Sequence, residues 1–418
     1  LRPLPRSPST TPPRGTGAME PTDESREMKE EAKRLAEGLS GEAFAFCRAL
    51  YEDPELSLEE TRASRRLAEV LAHDGFQVQP GVADLPTSFV ATADGGRPGP
   101  SIAILAEYDA LPEVGHGCGH NLIAASALGA AKVLSRLRGR LPGGIRIIGT
   151  PAEETLGGKA RMVKEGVFRG LDAALMVHPG TEFRVHTTSL ACQSIQVVFE
   201  GKSSHAVTAP ERGVNALDPL VQLYLGVDAL RKGLTPEVRI PGVILEGGKR
   251  ANIVPDRAVG QFSIRARNRA AVEAILERIA RMARGLAAAG GARAEVIRID
   301  EGYDEMLTNR VLADLFRENL RALGAETNDA PRERMGSLDM GNVSQVVPSL
   351  HAYVAIAPET GALHTREFAE ATVSEGGRRG LLLAMQALAM TVIDLLTRPG
   401  TVPAARSEFL ASAGRGAA

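Results

Sequence analysis

Apolar residues recur every three or four positions among Glu, Lys and Arg from Glu24 to Tyr51, and again from Glu59 to Asp74. That is the repeat of an α-helix with one buried face, so two amphipathic helices are predicted, joined by the turn Asp53-Pro54-Glu55-Leu-Ser. Short apolar runs then alternate with helical stretches. The runs are Phe89 to Thr92, Ser101 to Ala106, Ile145 to Gly149 and Ala173 to Val177; the helices are Leu122 to Leu137 and Lys159 to Glu165. This strand-helix rhythm predicts an α/β fold, a mixed sheet with helices on both faces.

After His186 the pattern changes. Gln193 to Glu200 alternates apolar and polar residues as a half-exposed strand does, followed by a helix from Asn215 to Lys232, strands Gly242 to Leu245 and Ala258 to Arg265, a helix from Ala270 to Ala288 and a strand Ala294 to Ile299. The order βαββαβ is that of a ferredoxin-like α+β unit, complete within one stretch of chain and therefore readable as an inserted domain over residues 189–301. Beyond Asp300 the first rhythm resumes with a helix over 308–323, a strand Leu350 to Ile356 and a helix Ser374 to Thr397. Residues 19–188 and 302–398 are thus expected to form the two parts of one larger domain.

Composition narrows the class of protein. The 418 residues are 44% hydrophobic and 24% charged, which suits a globular chain with a large core. A formal net charge of -2 supplies no pull toward nucleic acid or a membrane surface, so small molecules are the expected partners. Three cysteines, Cys47, Cys118 and Cys192, imply no disulfide framework and fit a cytoplasmic protein. The apolar stretch Gly380 to Leu396 is interrupted by Gln386, Thr391 and Asp394, so it reads as a buried helix and not a membrane span. Residues 1–18, basic and proline-rich with no apolar segment, are expected to be a disordered leader, and 399–418 a loose tail.

Candidate chemistry concentrates in Glu107-Tyr-Asp-Ala-Leu-Pro-Glu-Val-Gly-His-Gly-Cys-Gly-His120. A single glycine between Cys118 and His120 allows a sharp turn that faces thiolate and imidazole toward one ion. In an open α/β sheet ligands gather beyond the carboxyl ends of the strands. Asp109 follows one predicted strand, Glu153-Glu154 a second, His178 a third, and His364 lies in the loop after a fourth. Four strand exits delivering ligand-type residues beside Cys118 and His120 predict a metal centre. In an adjacent pair of acids, one carboxylate can bind metal while its neighbour stays free to move a proton. His73, His116 and His351 are assigned to surface, loop and strand interior.

The order of short motifs carries a resemblance. Asp109-Ala-Leu-Pro, His116-Gly-Cys-Gly-His120, Gly149-Thr-Pro-Ala-Glu-Glu154, Met176-Val-His-Pro179, Gly201-Lys-Ser-Ser-His-Ala206, Ala251-Asn-Ile-Val-Pro-Asp256 and Ala362-Leu-His-Thr365 are similar to the aminoacylase and carboxypeptidase-G-like metallopeptidases. Glu107-Tyr-Asp-Ala-Leu-Pro and Gly336-Ser-Leu-Asp-Met-Gly-Asn-Val-Ser344 resemble the branch of Xaa-Arg dipeptidases and aminobenzoyl-glutamate hydrolases.

The resemblance implies that Cys118, His120, Glu154, His178 and His364 hold two divalent ions per subunit, zinc or manganese. It implies Glu153 as general base and Asp109 as supporting acid. His205 would reach the neighbouring subunit's site, making the enzyme a homodimer, and Asn252 would help hold a substrate carboxylate. The large domain would be catalytic and the inserted one a lid and dimerisation domain. The implied activity is hydrolysis of the amide of a dipeptide or N-acylated amino acid by attack of a metal-activated water. An aminoacylase or hippurate-type hydrolase, and a catalytically silent peptide-binding relative, are the alternatives. Asn121 and Leu338 depart from common family residues, and Leu338 bears on the substrate pocket.

Overall fold

The computed structural model describes residues 20–330, 335–358 and 360–413, so the expected leader over 1–18 lies outside the described residues. The first long helix, α1 (Asp23–Glu52), starts where the Thr22 side chain accepts a hydrogen bond from the Ser25 N–H, with Asp23 and Glu24 in its first turn. Met28, Ala32, Ala36, Leu39, Ala43, Cys47 and Leu50 form its buried stripe.

A six-stranded sheet runs in the order β1 (Gln77–Pro80), β2 (Phe89–Asp94), β4 (Pro142–Gly149), β3 (Arg97–Ala106), β5 (Ala173–Gly180) and β10 (Ser349–Ala355). β4, β3, β5 and β10 are mutually parallel, while β2 and β1 close one edge antiparallel, so the sheet is mixed as expected. β1 has no counterpart in the sequence reading. It is a short, mostly exposed edge strand ending in Pro80, a residue tolerated only where no further ladder bond is needed.

Both faces of this sheet are apolar. Ile102 and Ile104 of β3 join the core formed with α1, α3 (His120–Leu137) and α10 (Glu375–Thr397). Ala103 and Leu105 point the other way, into a second layer with Met162 of α4 (Gly158–Lys164) and with Met340 and Val343 of α8 (Met340–Ser344). The helix α10 is long and apolar enough by composition to cross a membrane, but it packs inside this core.

The four-stranded antiparallel sheet has the order β7 (Gly242–Glu246), β8 (Arg257–Ala266), β6 (Ala191–Glu200), β9 (Arg293–Arg298). With α5 (Leu217–Arg231) and α6 (Arg269–Gly290) the chain runs βαββαβ, and both helices pack on one face of the sheet. Ile195, Val197 and Phe199 of β6 and Phe262 and Ile264 of β8 meet those helices, whereas Ser194, Ser263 and Arg265 between them face a cavity.

The tail beyond 399 is not loose over its first part. Thr401–Ala413 forms a helix, α11, with Ala405 fully buried in the main core. The Glu408 carboxylate accepts from the N–H groups of Arg310 and Val311, the open donors at the start of α7 (Arg310–Ala322). The glycine and alanine content of the tail hid an anchor made by one distant acid.

Candidate metal centre

The four parallel strands end on the same edge of the sheet, and the predicted residues meet there. The stretch Glu107 to Asp109 leaves β3, and Glu153-Glu154 leave β4. His178 lies within β5, which runs to Gly180, and His364 sits in the loop beyond β10. Cys118 precedes α3 and His120 is its first residue. Gly119 takes φ +82°, and a Cβ there would stand 2.4 Å from Pro179 Cγ, so the turn that aims Cys118 and His120 at one point needs glycine.

Potential donor atoms of Cys118, His120 and His178 lie within 4.8 Å of one another, as do those of Cys118, Glu154 and His364, and those of His120, Glu153 and Glu154. Cys118 Sγ is 3.6 Å from His178 Nε2, and Glu154 Oε1 is 3.5 Å from His364 Nε2 and 3.9 Å from His120 Nε2. His364 is the exposed member, held at φ +66° by a hydrogen bond from its N–H to the Gly117 carbonyl. A histidine in left-handed backbone costs on the order of 1–3 kcal/mol and persists where the surroundings impose it.

The ring orientations are set from behind. Asp109 Oδ1 pairs with His120 Nδ1 at 2.8 Å, while Oδ2 accepts from Ser57 Oγ at 2.8 Å and from the Glu154 N–H at 3.1 Å. The Pro179 carbonyl pairs with His178 Nδ1 at 2.6 Å. Both contacts leave Nε2 turned toward the cluster, as metal-ligating imidazoles require. Deeper still, buried Glu60 accepts from the Ala152 N–H and the Thr87 hydroxyl, fixing the backbone just before the two acids.

Glu107 Oε2, His120 Nε2 and Glu154 Oε1 are buried and have no hydrogen-bond partner among the described residues, although Glu107 Oε2 and Glu154 Oε1 lie 3.2 and 3.9 Å from His120 Nε2. Orphaned lone pairs gathered with a thiol and imidazoles are what a bound cation would satisfy, so the residues fit a divalent metal. Burial pushes the Cys118 thiol above its usual range and brings His178 down to about 4, so His178 stays neutral and its Nε2 keeps a lone pair. Burial would also lower His120, but the Asp109 and Glu107 carboxylates outweigh it and raise that imidazole well above its usual value. For Glu153, burial and then the charges of Asp339, Glu107 and Glu154 hold the carboxyl well above the normal carboxylate range.

The cluster opens into a cavity of about 460 Å³ lined from both sheets. Opposite Cys118 and His178 stand Ser194, Ser263 and Arg265, whose Nη1 donates to Ser337 Oγ at 3.3 Å. The hydroxyl of Tyr303 donates to the Glu153 carbonyl at 2.5 Å. Leu338 lines the same space. Two expected residues are absent from it. His205 and Asn252 are exposed on the four-stranded side, next to each other through the Ala206 N–H to Asn252 carbonyl bond, and neither lines this chain's cavity. Asn121 points away from the cluster into the core, donating to Thr372 Oγ1 at 2.9 Å, so its departure from the common family residue bears on packing and not on the cavity.

Sequence reasoning missed several members. His351 was assigned to a strand interior, but it lines the cavity beside His178, with ring centroids 5.6 Å apart. His116 lies in a loop as assigned and outside the cavity lining, but it is buried, its value brought down to about 3 chiefly by burial. Lys159, Glu107 and Asp339 form a fully buried ion-pair group next to His120. No local pattern announces a buried lysine at the start of a helix.

Residues 103–386 match peptidase family M20/M25/M40. The chain is 35% identical over 409 residues to Xaa-Arg dipeptidase of Mus musculus, covering 93% of this chain and 94% of that one. It is 33% identical over 296 residues to a p-aminobenzoyl-glutamate hydrolase chain of Escherichia coli strain K12, covering 66% and 61%. Among solved structures, it is similar to the YXEP protein of Bacillus subtilis, described as a dinuclear metal-binding peptidase of the M20 family. That similarity has a TM-score of 0.64 at 24% identity over 86% of this chain and 99% of the other, a likeness of fold.

Proposed function

Because the chain belongs to peptidase family M20/M25/M40, we propose that it is a metal-dependent amidohydrolase that cleaves the amide of a dipeptide or N-acylated amino acid. The observation that carries this reading is the meeting of Cys118, His120, Glu153, Glu154, His178 and His364 at the strand ends, with buried acceptor atoms left unpartnered. Cys118, His120, Glu154, His178 and His364 are the assigned holders of two divalent ions, zinc or manganese; a thiolate favours zinc and the carboxylates accept manganese. Ions bound there supply Lewis acidity toward an amide carbonyl and toward water.

Glu153 is the proton carrier. A carboxyl held above its usual range by burial and neighbouring acids is a better proton acceptor than a free one and can return the proton to a departing amine. Tyr303 fixes the backbone of Glu153, and Asp109 fixes the ring of His120. His205 and Asn252 stand outside their own chain's cavity, which fits their assignment to a partner subunit's site in a homodimer, with residues 189–301 as lid and dimerisation domain. A reducing, cytoplasmic setting would keep Cys118 available as a ligand.

The substrate class follows from the relatives: one is named for Xaa-Arg dipeptides and one for p-aminobenzoyl-glutamate. The test is a hydrolysis screen with zinc or manganese supplied, comparing β-alanyl-lysine, β-alanyl-arginine, p-aminobenzoyl-glutamate, hippurate and N-acetyl amino acids. Preference for the β-alanyl dipeptides, abolished by chelator, supports the dipeptidase reading. Preference for acetyl or benzoyl conjugates moves it to an aminoacylase. Absence of chelator-sensitive turnover on all of them overturns the enzyme reading.

A further inference from the structure

We propose that Glu107 is itself a ligand of the metal centre, presented by the buried pair Lys159 and Asp339. This inference rests on the metal-centre reading above and adds a donor to it. Glu107 Oε2 and His120 Nε2 lie 3.2 Å apart as a buried charge contact, yet neither atom has a hydrogen-bond partner among the described residues. A cation held by both would satisfy them. Two donors each about 2.0–2.2 Å from one zinc ion stand roughly 3.0–3.5 Å apart, and the observed spacing falls in that interval.

The other oxygen of Glu107 is already committed. Lys159 Nζ donates to Oε1 at 2.5 Å and to Asp339 Oδ1 at 2.7 Å, while the Lys159 N–H donates to Asp339 Oδ2 at 2.9 Å. Lys159 and Asp339 are wholly buried and Glu107 nearly so. One ammonium thus faces two carboxylates in a water-excluded pocket, leaving a negative charge that a second cation would neutralise. Asp109 cannot be that partner's rival, because it serves His120 through Nδ1 on the opposite side of the ring. The arrangement fixes the rotamer of Glu107 and leaves Oε2 as the one uncommitted oxygen of the two carboxylates, 3.2 Å from His120 Nε2. Lys159 is accordingly a positioning residue, acting through Glu107.

The test uses crystals of the full chain soaked in zinc chloride, with anomalous difference maps at the zinc edge. The expected result is an ion bound by His120 with Glu107 Oε2 within about 2.5 Å of it. An ion at Cys118 and His120 with Glu107 Oε2 beyond about 3.5 Å overturns this inference and leaves the metal centre standing. No ion at the cluster overturns both. In solution, Glu107→Gln stripped of metal should melt within a few degrees of the parent but bind zinc at least tenfold more weakly by calorimetry. Equal zinc affinity in the two proteins overturns the inference.

Discussion

The two sheets use the same alternation of residues to different ends. In β3, Ile104 and Leu105 are neighbours on opposite faces, and both are fully buried because helices cover each side. In β6, Ile195 is fully buried against α5 and α6 while its neighbour Ser194 lines the cavity. A sheet sealed on both faces gathers polar chemistry mainly at its strand ends, which is where Cys118, His120, Glu153, Glu154 and His178 collect, with His351 of the edge strand β10 beside them. A sheet covered on one face can offer polar residues along its length, and Ser194, Ser263 and Arg265 do so. The candidate site arises where the ends of the first sheet meet the open face of the second.

The largest expected effect tests the strand-end half. Glu153→Gln should lower amide hydrolysis by about 10²–10⁴-fold, while elemental analysis finds the parental metal content; turnover at the parental rate would show that the proton carrier lies elsewhere. Lys159→Met leaves Glu107 and Asp339 as unpaired buried carboxylates and should cost about 3–5 kcal/mol of stability in urea unfolding. A loss under 1 kcal/mol would mean that water reaches the group.

The contrast between the sheets can be broken directly by adjacent truncations. Ile104→Ala and Leu105→Ala should each cost about 2–5 kcal/mol, whereas Ile195→Ala should cost that and Ser194→Ala stay within about 0.5 kcal/mol. Equal costs for the β6 pair would refute the one-sided burial of the second sheet.

The smallest effect concerns the connection between them. Asp329 accepts from the N–H groups of Val185 and His186, in the segment running from β5 toward β6, and pairs with Arg317. Burial raises its carboxyl, but those hydrogen bonds and Arg317 outweigh burial and bring it down to about 2. A depressed carboxyl stabilises above its unfolded value near 4 and loses that stability as pH falls toward 2. Screening at this partly exposed site reduces the contribution to about 1 kcal/mol. Thermal melts between pH 5 and pH 2.5 should therefore fall less steeply for Asp329→Asn than for the parent protein; parallel curves would remove Asp329 from the account.

What the residue pattern determined by itself was the kind of each long element, the mixed character of the main sheet, the βαββαβ order of the second, and the set of strand exits bearing ligand-type side chains. Periodicity is a local property, and the long stretches were strongly periodic. The edge strand β1, the short helices α8 and α9 (Arg366–Thr372), and the helix α11 were not legible, because a few residues give no period and their support comes from distant groups such as Glu408 against the start of α7. Tertiary structure alone decided that His351 reaches the cavity, that Asn121 turns into the core, and that His205 and Asn252 stand outside their own chain's site. It also assembled Glu107, Lys159 and Asp339 from three separate segments. A buried charge is tolerable only beside its partner, and partners separated by many residues become neighbours only when the chain has folded.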